Sequence, residues 1–133
     1  MARILLIEDS AKTLTLLTRA LQGEGHTVAA AADGHEGLRL LARESFDLVL
    51  TEIVMPRRDG IEVLRAAQRL PAPPKVIVLD HPFSGTHPGT RPDYLRMALE
   101  LGADRALARP LRLHALEAAV DEVLHQSLLR EAV

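Results

Sequence analysis

Cysteine is absent from all 133 residues. Disulfides, thiolate nucleophiles and cysteine-based metal sites are therefore excluded. Tryptophan is absent too, and Phe46, Phe83 and Tyr94 are the only aromatic residues. So few rings do not make a base-stacking platform for single-stranded nucleic acid. The chain also lacks an excess of one charge: 16 Lys and Arg stand against 18 Asp and Glu, a net charge of -2. Binding nucleic acid through its phosphates needs clustered cations, so direct nucleic-acid contact is not expected. No apolar run approaches the roughly 20 residues of a membrane-spanning helix. The opening run Ile4-Leu5-Leu6-Ile7 is too short for a signal peptide. We expect a cytoplasmic protein with no membrane contact.

The material for a core is ample, at 47% apolar residues, and the length fits a single domain over 1–133. The pattern alternates along the chain. Ile4 to Ile7 reads as a strand buried on both faces, and Ser10 caps a helix carrying Leu14, Leu17 and Leu21, ended by Gly23 and Gly25. Val28–Ala32 reads as a second strand, and Asp33 caps a helix through Leu38, Leu41 and Ala42. Asp47–Ile53 is the third strand, Pro56 and Asp59-Gly60 mark a loop, and Ile61, Val63, Leu64 and Ala67 begin the third helix. Pro71, Pro73 and Pro74 end it before the strand Val76-Ile77-Val78-Leu79. Residues 80–92 read as a loop, Tyr94 to Leu101 as a short helix ended by Gly102, and Arg105–Ala108 as the fifth strand. Pro110 is expected to open a long last helix through Leu113, Leu116, Val120, Val123 and Leu124.

Five strands alternating with five helices imply an α/β fold with a parallel sheet covered on both faces. Functional groups in such folds gather beyond the carboxyl ends of the strands. Glu8-Asp9, Glu52, Asp80 and Arg109 occupy those ends, so four carboxylates and one guanidinium are expected at one edge. The bland alternative for Glu8 and Asp9 is a solvated acidic pair that caps the first helix. His81 and His87 are candidate metal ligands beside the carboxylates, though histidines in a loop are more often only exposed. His26, His35, His114 and His125 show no ligand spacing.

Three stretches carry a family resemblance. They are Arg3-Ile4-Leu5-Leu6-Ile7-Glu8-Asp9-Ser10, then Phe46 to Pro56 with Asp59-Gly60, then Leu101-Gly102-Ala103-Asp104 with Arg109-Pro110-Leu111. In this order they resemble the response-regulator receiver family over nearly the whole chain. The resemblance implies a flavodoxin-like, doubly wound (βα)5 fold with strand order 2-1-3-4-5. It also implies two-component signal transduction and phosphorelay chemistry. There an aspartate ending strand three accepts a phosphoryl group from a phosphohistidine, and an acidic pair holds Mg²⁺. A Thr or Ser and a Lys then bind the phosphoryl oxygens.

Residue by residue, Glu8 and Asp9 fit the metal pair, with Glu52 able to add an oxygen. Glu52 stands where the acceptor Asp belongs, Asp80 where the hydroxyl belongs, and Arg109 where the Lys belongs. Pro110 matches a proline that commonly follows a cis bond, and Ala106 replaces an aromatic switch residue. A carboxylate one methylene longer misplaces an in-line acceptor, and about 1 Å of misplacement costs roughly a hundredfold in rate. Glu52 can alternatively imitate a phosphorylated state. Asp80 as an anion only accepts hydrogen bonds, and repels a like charge about 4 Å away by roughly 4 kcal/mol. Arg109, a planar fork, is expected to bridge Glu52 or Asp80.

The expectation is a non-enzymatic pseudo-receiver. It would bind a protein partner, a histidine kinase or downstream signalling protein, or a second copy. The face involved would be the fourth helix, fifth strand and fifth helix, with Arg112, Glu117, Asp121 and Gln126 on the last helix as a partner surface or a solvated face. Two alternatives stand beside it: weak phosphotransfer at Glu52, and a small metal-dependent phosphohydrolase built on Glu8, Asp9 and Asp80. A flavodoxin-like cofactor binder fits worse, because Glu8-Asp9-Ser10 is acidic where a phosphate cradle needs backbone amides.

Overall fold

The computed structural model describes residues 1–53, 59–80 and 93–132, with side chains described up to residue 126. Pro56, His81, Phe83 and His87, named above, lie outside the described residues, as do residues 54 and 55 of the third-strand stretch and 81–92 of the expected loop. The elements alternate as β1 (Arg3–Ile7), α1 (Ala11–Gly23), β2 (Thr27–Ala31), α2 (Gly34–Arg43) and β3 (Leu48–Glu52), then α3 (Gly60–Gln68), β4 (Lys75–Leu79), α4 (Tyr94–Glu100), β5 (Arg105–Leu107) and α5 (Leu113–Ala132). All four strand pairings are parallel, and the order is β2-β1-β3-β4-β5. The expected fold and strand order are borne out.

Strand alternation divides the core. Leu5, Ile7, Val49, Val76 and Val78 face α2, α3 and α4, meeting Leu41, Val63, Leu64, Ala67 and Ala98. Ile4, Leu6, Leu48, Leu50, Ile77 and Leu79 face α1 and α5, meeting Leu17, Leu21, Leu116, Val120 and Val123. Central strands buried on both faces explain why β1, β3 and β4 read as unbroken apolar runs. Among the described residues, no helix is long and apolar enough to cross a membrane.

Three helices start at a side chain that takes up loose N–H groups, two of them, at Ser10 and Asp33, as expected. Ser10 accepts from Thr13, Asp33 from Glu36 and Asp59 from Glu62. Asp59-Gly60 is therefore the start of α3 rather than a loop. The last helix begins at Leu113, not at Pro110: its first-turn bond runs from the Leu116 N–H to the Arg112 carbonyl at 3.0 Å. Residues 109–112 form the approach to it, which leaves Arg109 available to the sheet edge. Strand β2 starts at Thr27, one residue early, because Thr27 N–H bonds the Ala2 carbonyl at 2.9 Å and continues the pairing with β1. Gly102, at φ +108°, ends α4 in the left-handed region that only glycine enters freely.

Candidate functional site

The same alternation decides which side chains meet. Glu8 follows Leu6 by two residues, and Glu52 follows Leu50 by two, so both fall on the face that carries α1 and α5. Strands β1 and β3 are neighbours, with Ile7 opposite Thr51. The two glutamates therefore lie side by side at the carboxyl ends, both at 0% exposure. Glu8 is no solvated acid, and the helix cap beside it is Ser10. Asp9 is exposed and completes the group: one carboxylate oxygen from each of Glu8, Asp9 and Glu52 lies within 4.8 Å of the others.

Arg109 reaches into this group from the end of β5. Its Nε donates to the Asp80 main-chain carbonyl at 2.6 Å, and its Nη2 donates to Glu8 Oε2 at 3.0 Å. The same nitrogen stands 3.7 Å from Glu52 Oε1, which also accepts from the Asp9 N–H at 3.4 Å. The expected bridge from Arg109 to Glu52 is present as an ion pair at 3.7 Å. A shorter ion pair, to Glu8, was not expected, and Arg109 also holds the Asp80 main-chain carbonyl.

The reason is parity. Leu79 faces α1 and α5, so residue 80 falls on the other face, and its carbonyl remains in line with the guanidinium. Asp80 N–H pairs with the Leu107 carbonyl at 2.9 Å, which ties the ends of β4 and β5 together at that point. Of the four carboxylates expected at one edge, three gather as a cluster and Asp80 stands outside it. Ala106 lies in β5, half-buried, opposite Val78. Pro110 follows Arg109 through a cis peptide bond.

Burial and charge set the protonation. Burial first, then hydrogen bonding to the Glu8 and Asp9 side chains and the charges of both, push the Glu52 carboxyl from 4.5 up to about 10. A buried acid beside two other carboxylates holds a proton unless a cation replaces it. Oε1 of Glu8 is buried and has no hydrogen-bond partner among the described residues. Three carboxylates supply the hard oxygen donors that Mg²⁺ prefers, and the under-satisfied Glu8 oxygen points to the same kind of occupant. The residues therefore fit a divalent cation, held by Glu8, Asp9 and Glu52.

Two contributors were missed from sequence. Gly60 permits the closing of α3 onto the site: a Cβ there would stand 2.3 Å from the Glu52 carbonyl oxygen. Its N–H bonds the Ile53 carbonyl at 2.7 Å. Thr51, fully buried, donates from Oγ1 to the Glu52 carbonyl at 2.9 Å. The Asp59-Gly60 pair was the available signal for the first; nothing in the pattern signalled the second. His26, without ligand spacing, accepts the Ala2 N–H on Nδ1 at 3.1 Å, a structural contact.

Comparison with known proteins agrees with this geometry. The family model for the response regulator receiver domain matches residues 4–121. The transcriptional regulatory protein GlrR of Escherichia coli (strain K12) is 35% identical over 127 residues, 95% of this chain and 27% of that protein. The transcriptional regulatory protein CpxR of the same organism is 34% identical over 127 residues, 96% of this chain and 51% of that protein. The chain thus spans about a quarter to a half of these curated relatives. A receiver domain protein from Clostridium thermocellum superposes with a TM-score of 0.82 at 27% identity, covering 97% of this chain and 98% of that one. A CheY-like receiver domain protein from Methanospirillum hungatei JF-1 gives 0.83 at 27% identity, covering 98% of each. The parallel sheet, the acidic cluster at its carboxyl edge and the match over residues 4–121 place this chain in the response regulator receiver family.

Proposed function

We propose that the chain is an atypical receiver that works as a phosphorylation-independent protein-interaction module in two-component signalling. The observation that carries this is the position of Arg109. Its guanidinium already places a positive charge in the pocket, 3.0 Å from Glu8 and 3.7 Å from Glu52, and is fixed by its Nε on the Asp80 carbonyl. With no metal bound, the Glu52 carboxyl is protonated at neutral pH, and a neutral acid is a poor nucleophile. Residue 80 offers no hydroxyl donor to a phosphoryl group, and Ala106 has no ring to rotate. Mg²⁺, when bound, would supply positive charge for phosphoryl chemistry; the residues placed to hold it are Glu8, Asp9 and Glu52.

Output would then pass by contact with a histidine kinase, a downstream signalling protein or a second copy, through the α4, β5 and α5 face. Met97 and Leu99, large apolar side chains left 43% and 49% exposed on α4, support that choice. The test is incubation with Mg²⁺ and a small acyl phosphate, followed by intact mass measurement. No mass gain is expected. A stoichiometric gain of one phosphoryl group, abolished by Glu52→Ala, overturns the proposal.

One observation favours a second reading, weak phosphotransfer at Glu52. The three clustered carboxylates can exchange the Glu52 proton for a divalent cation, which restores an anionic oxygen at the acceptor position. The same mass measurement with and without Mg²⁺ separates the two. The phosphohydrolase alternative loses support, because Asp80 stands outside the cluster.

A further inference from the structure

We propose that Arg109 is a built-in counter-cation that competes with a divalent metal ion for Glu8, and so sets how tightly the acidic pocket takes metal. This rests on the proposed reading of the pocket as one partly neutralised from within.

The geometry gives Arg109 a two-point hold. Nε is fixed by the Asp80 carbonyl at 2.6 Å and Nη2 by Glu8 Oε2 at 3.0 Å. A planar guanidinium can span two acceptors in this way, whereas an ammonium on a flexible stem is a single point of charge. The side chain is 18% exposed and its two acidic neighbours are at 0%, so the charges interact with little screening by water. Glu8 is the contested ligand. Its Oε2 is held by Arg109, while its Oε1 is buried with no hydrogen-bond partner among the described residues. One guanidinium does not offset Glu8 and Asp9 together, so the pocket retains an attraction for cations. Yet any ion drawing on the oxygens of Glu8 and Glu52 must sit close to a nitrogen 3.0 and 3.7 Å from them, and like charges repel there.

Metal uptake therefore requires Arg109 to leave Glu8. Its departure is not silent, because the same side chain holds the Asp80 carbonyl, and Asp80 N–H holds the Leu107 carbonyl. Occupancy at the ends of β1 and β3 is thereby coupled to the ends of β4 and β5.

The test uses the whole chain and the metals themselves. Mg²⁺ binding is measured by titration calorimetry, and Mn²⁺ binding by loss of the free-ion electron paramagnetic resonance signal. Arg109→Gln keeps a donor but removes the charge, and is expected to bind both ions at least tenfold more tightly. Arg109→Lys, with the charge but not the two-point hold, should gain less. Glu8→Gln should bind more weakly than the unmodified chain. Unchanged or weaker binding in an Arg109→Gln protein that melts normally overturns the proposal, as does failure of any form to bind metal. If that variant does not fold, the unmodified chain still decides. Its Arg109 Nε–H nuclear resonance should move as Mg²⁺ saturates the site, and a fixed resonance overturns the competition. Unchanged metal affinity in Arg109→Gln with no phosphoryl gain sinks this inference alone, whereas a phosphoryl gain on Glu52 sinks the functional proposal.

Discussion

Replacing Glu52 by glutamine should stabilise the metal-free protein at neutral pH, although it changes a fully buried acid at the site. Glutamine keeps the length and volume of the side chain. Its amide nitrogen can donate to the Glu8 and Asp9 carboxylates, where the native chain needs a bound proton. The magnitude follows from linkage. The carboxyl titrates near its ordinary 4.5 in the unfolded chain and at about 10 in the folded one. Between those values the native state binds the extra proton, so stability from this group is full below 4.5 and falls as pH rises toward 10. At about 1.4 kcal/mol per pH unit, taking up that proton at pH 7 costs about 3 kcal/mol, and relaxation of the pocket reduces it. We expect Glu52→Gln to gain about 1–3 kcal/mol at pH 7, or roughly 4–12 °C in melting temperature for a chain of this size. Urea denaturation followed by circular dichroism, in EDTA from pH 5 to pH 8, measures the difference between the two proteins. The gap should be small at pH 5 and widen steadily. A variant no more stable than its parent at pH 7, or a gap that fails to widen, refutes the assignment of a buried proton to Glu52.

Three further predictions concern the metal pocket and two glycines packed closely against the sheet. Mg²⁺ affinity should rise between pH 6 and pH 8, by up to roughly tenfold per unit, because the metal must displace the Glu52 proton; calorimetry in buffers of different ionisation enthalpy should show proton release, absent in Glu52→Gln. Gly60→Ala should cost about 2–4 kcal/mol in urea denaturation, since its Cβ would lie 2.3 Å from the Glu52 carbonyl oxygen and 2.7 Å from the Ile53 Cα, and backbone does not yield cheaply. Gly37→Ala, whose Cβ would meet the Ile7 Cδ1 at 2.3 Å and Cγ1 at 2.9 Å, should cost about 1–2 kcal/mol, less than Gly60→Ala, because the buried, β-branched Ile7 must change rotamer but no backbone has to move and alanine favours the helix; equal costs at the two glycines would contradict the contrast.

Much of the molecule was legible from the amino-acid order alone. Apolar runs at Ile4 to Ile7, Leu48 to Leu50 and Val76 to Leu79 announce strands buried on both faces, and Ser10 and Asp33 stand at the starts of α1 and α2, while Asp59, read as part of a loop, proved to cap α3. These are local signals, set by side-chain periodicity and by the hydrogen-bond needs of a helix end, so they survive without knowledge of the rest. The same holds for which residues stand at the strand ends, since that is a matter of position along the chain.

The pairing at those ends was decided only by tertiary structure. Strand order sets β1 beside β3, and the two-residue alternation then turns Glu8 and Glu52 to one side and residue 80 to the other. Arg109 lies 101 residues from Glu8 in sequence, and no periodicity connects them. Burial then changes the chemistry of groups whose type was already known: Glu8 is a sequestered ion-pair partner rather than a solvated cap, and Glu52 holds a proton at neutral pH. Residue type is carried by the sequence. Solvation and the identity of the neighbouring charge belong to the folded arrangement, because both depend on what distant segments bring within a few ångströms.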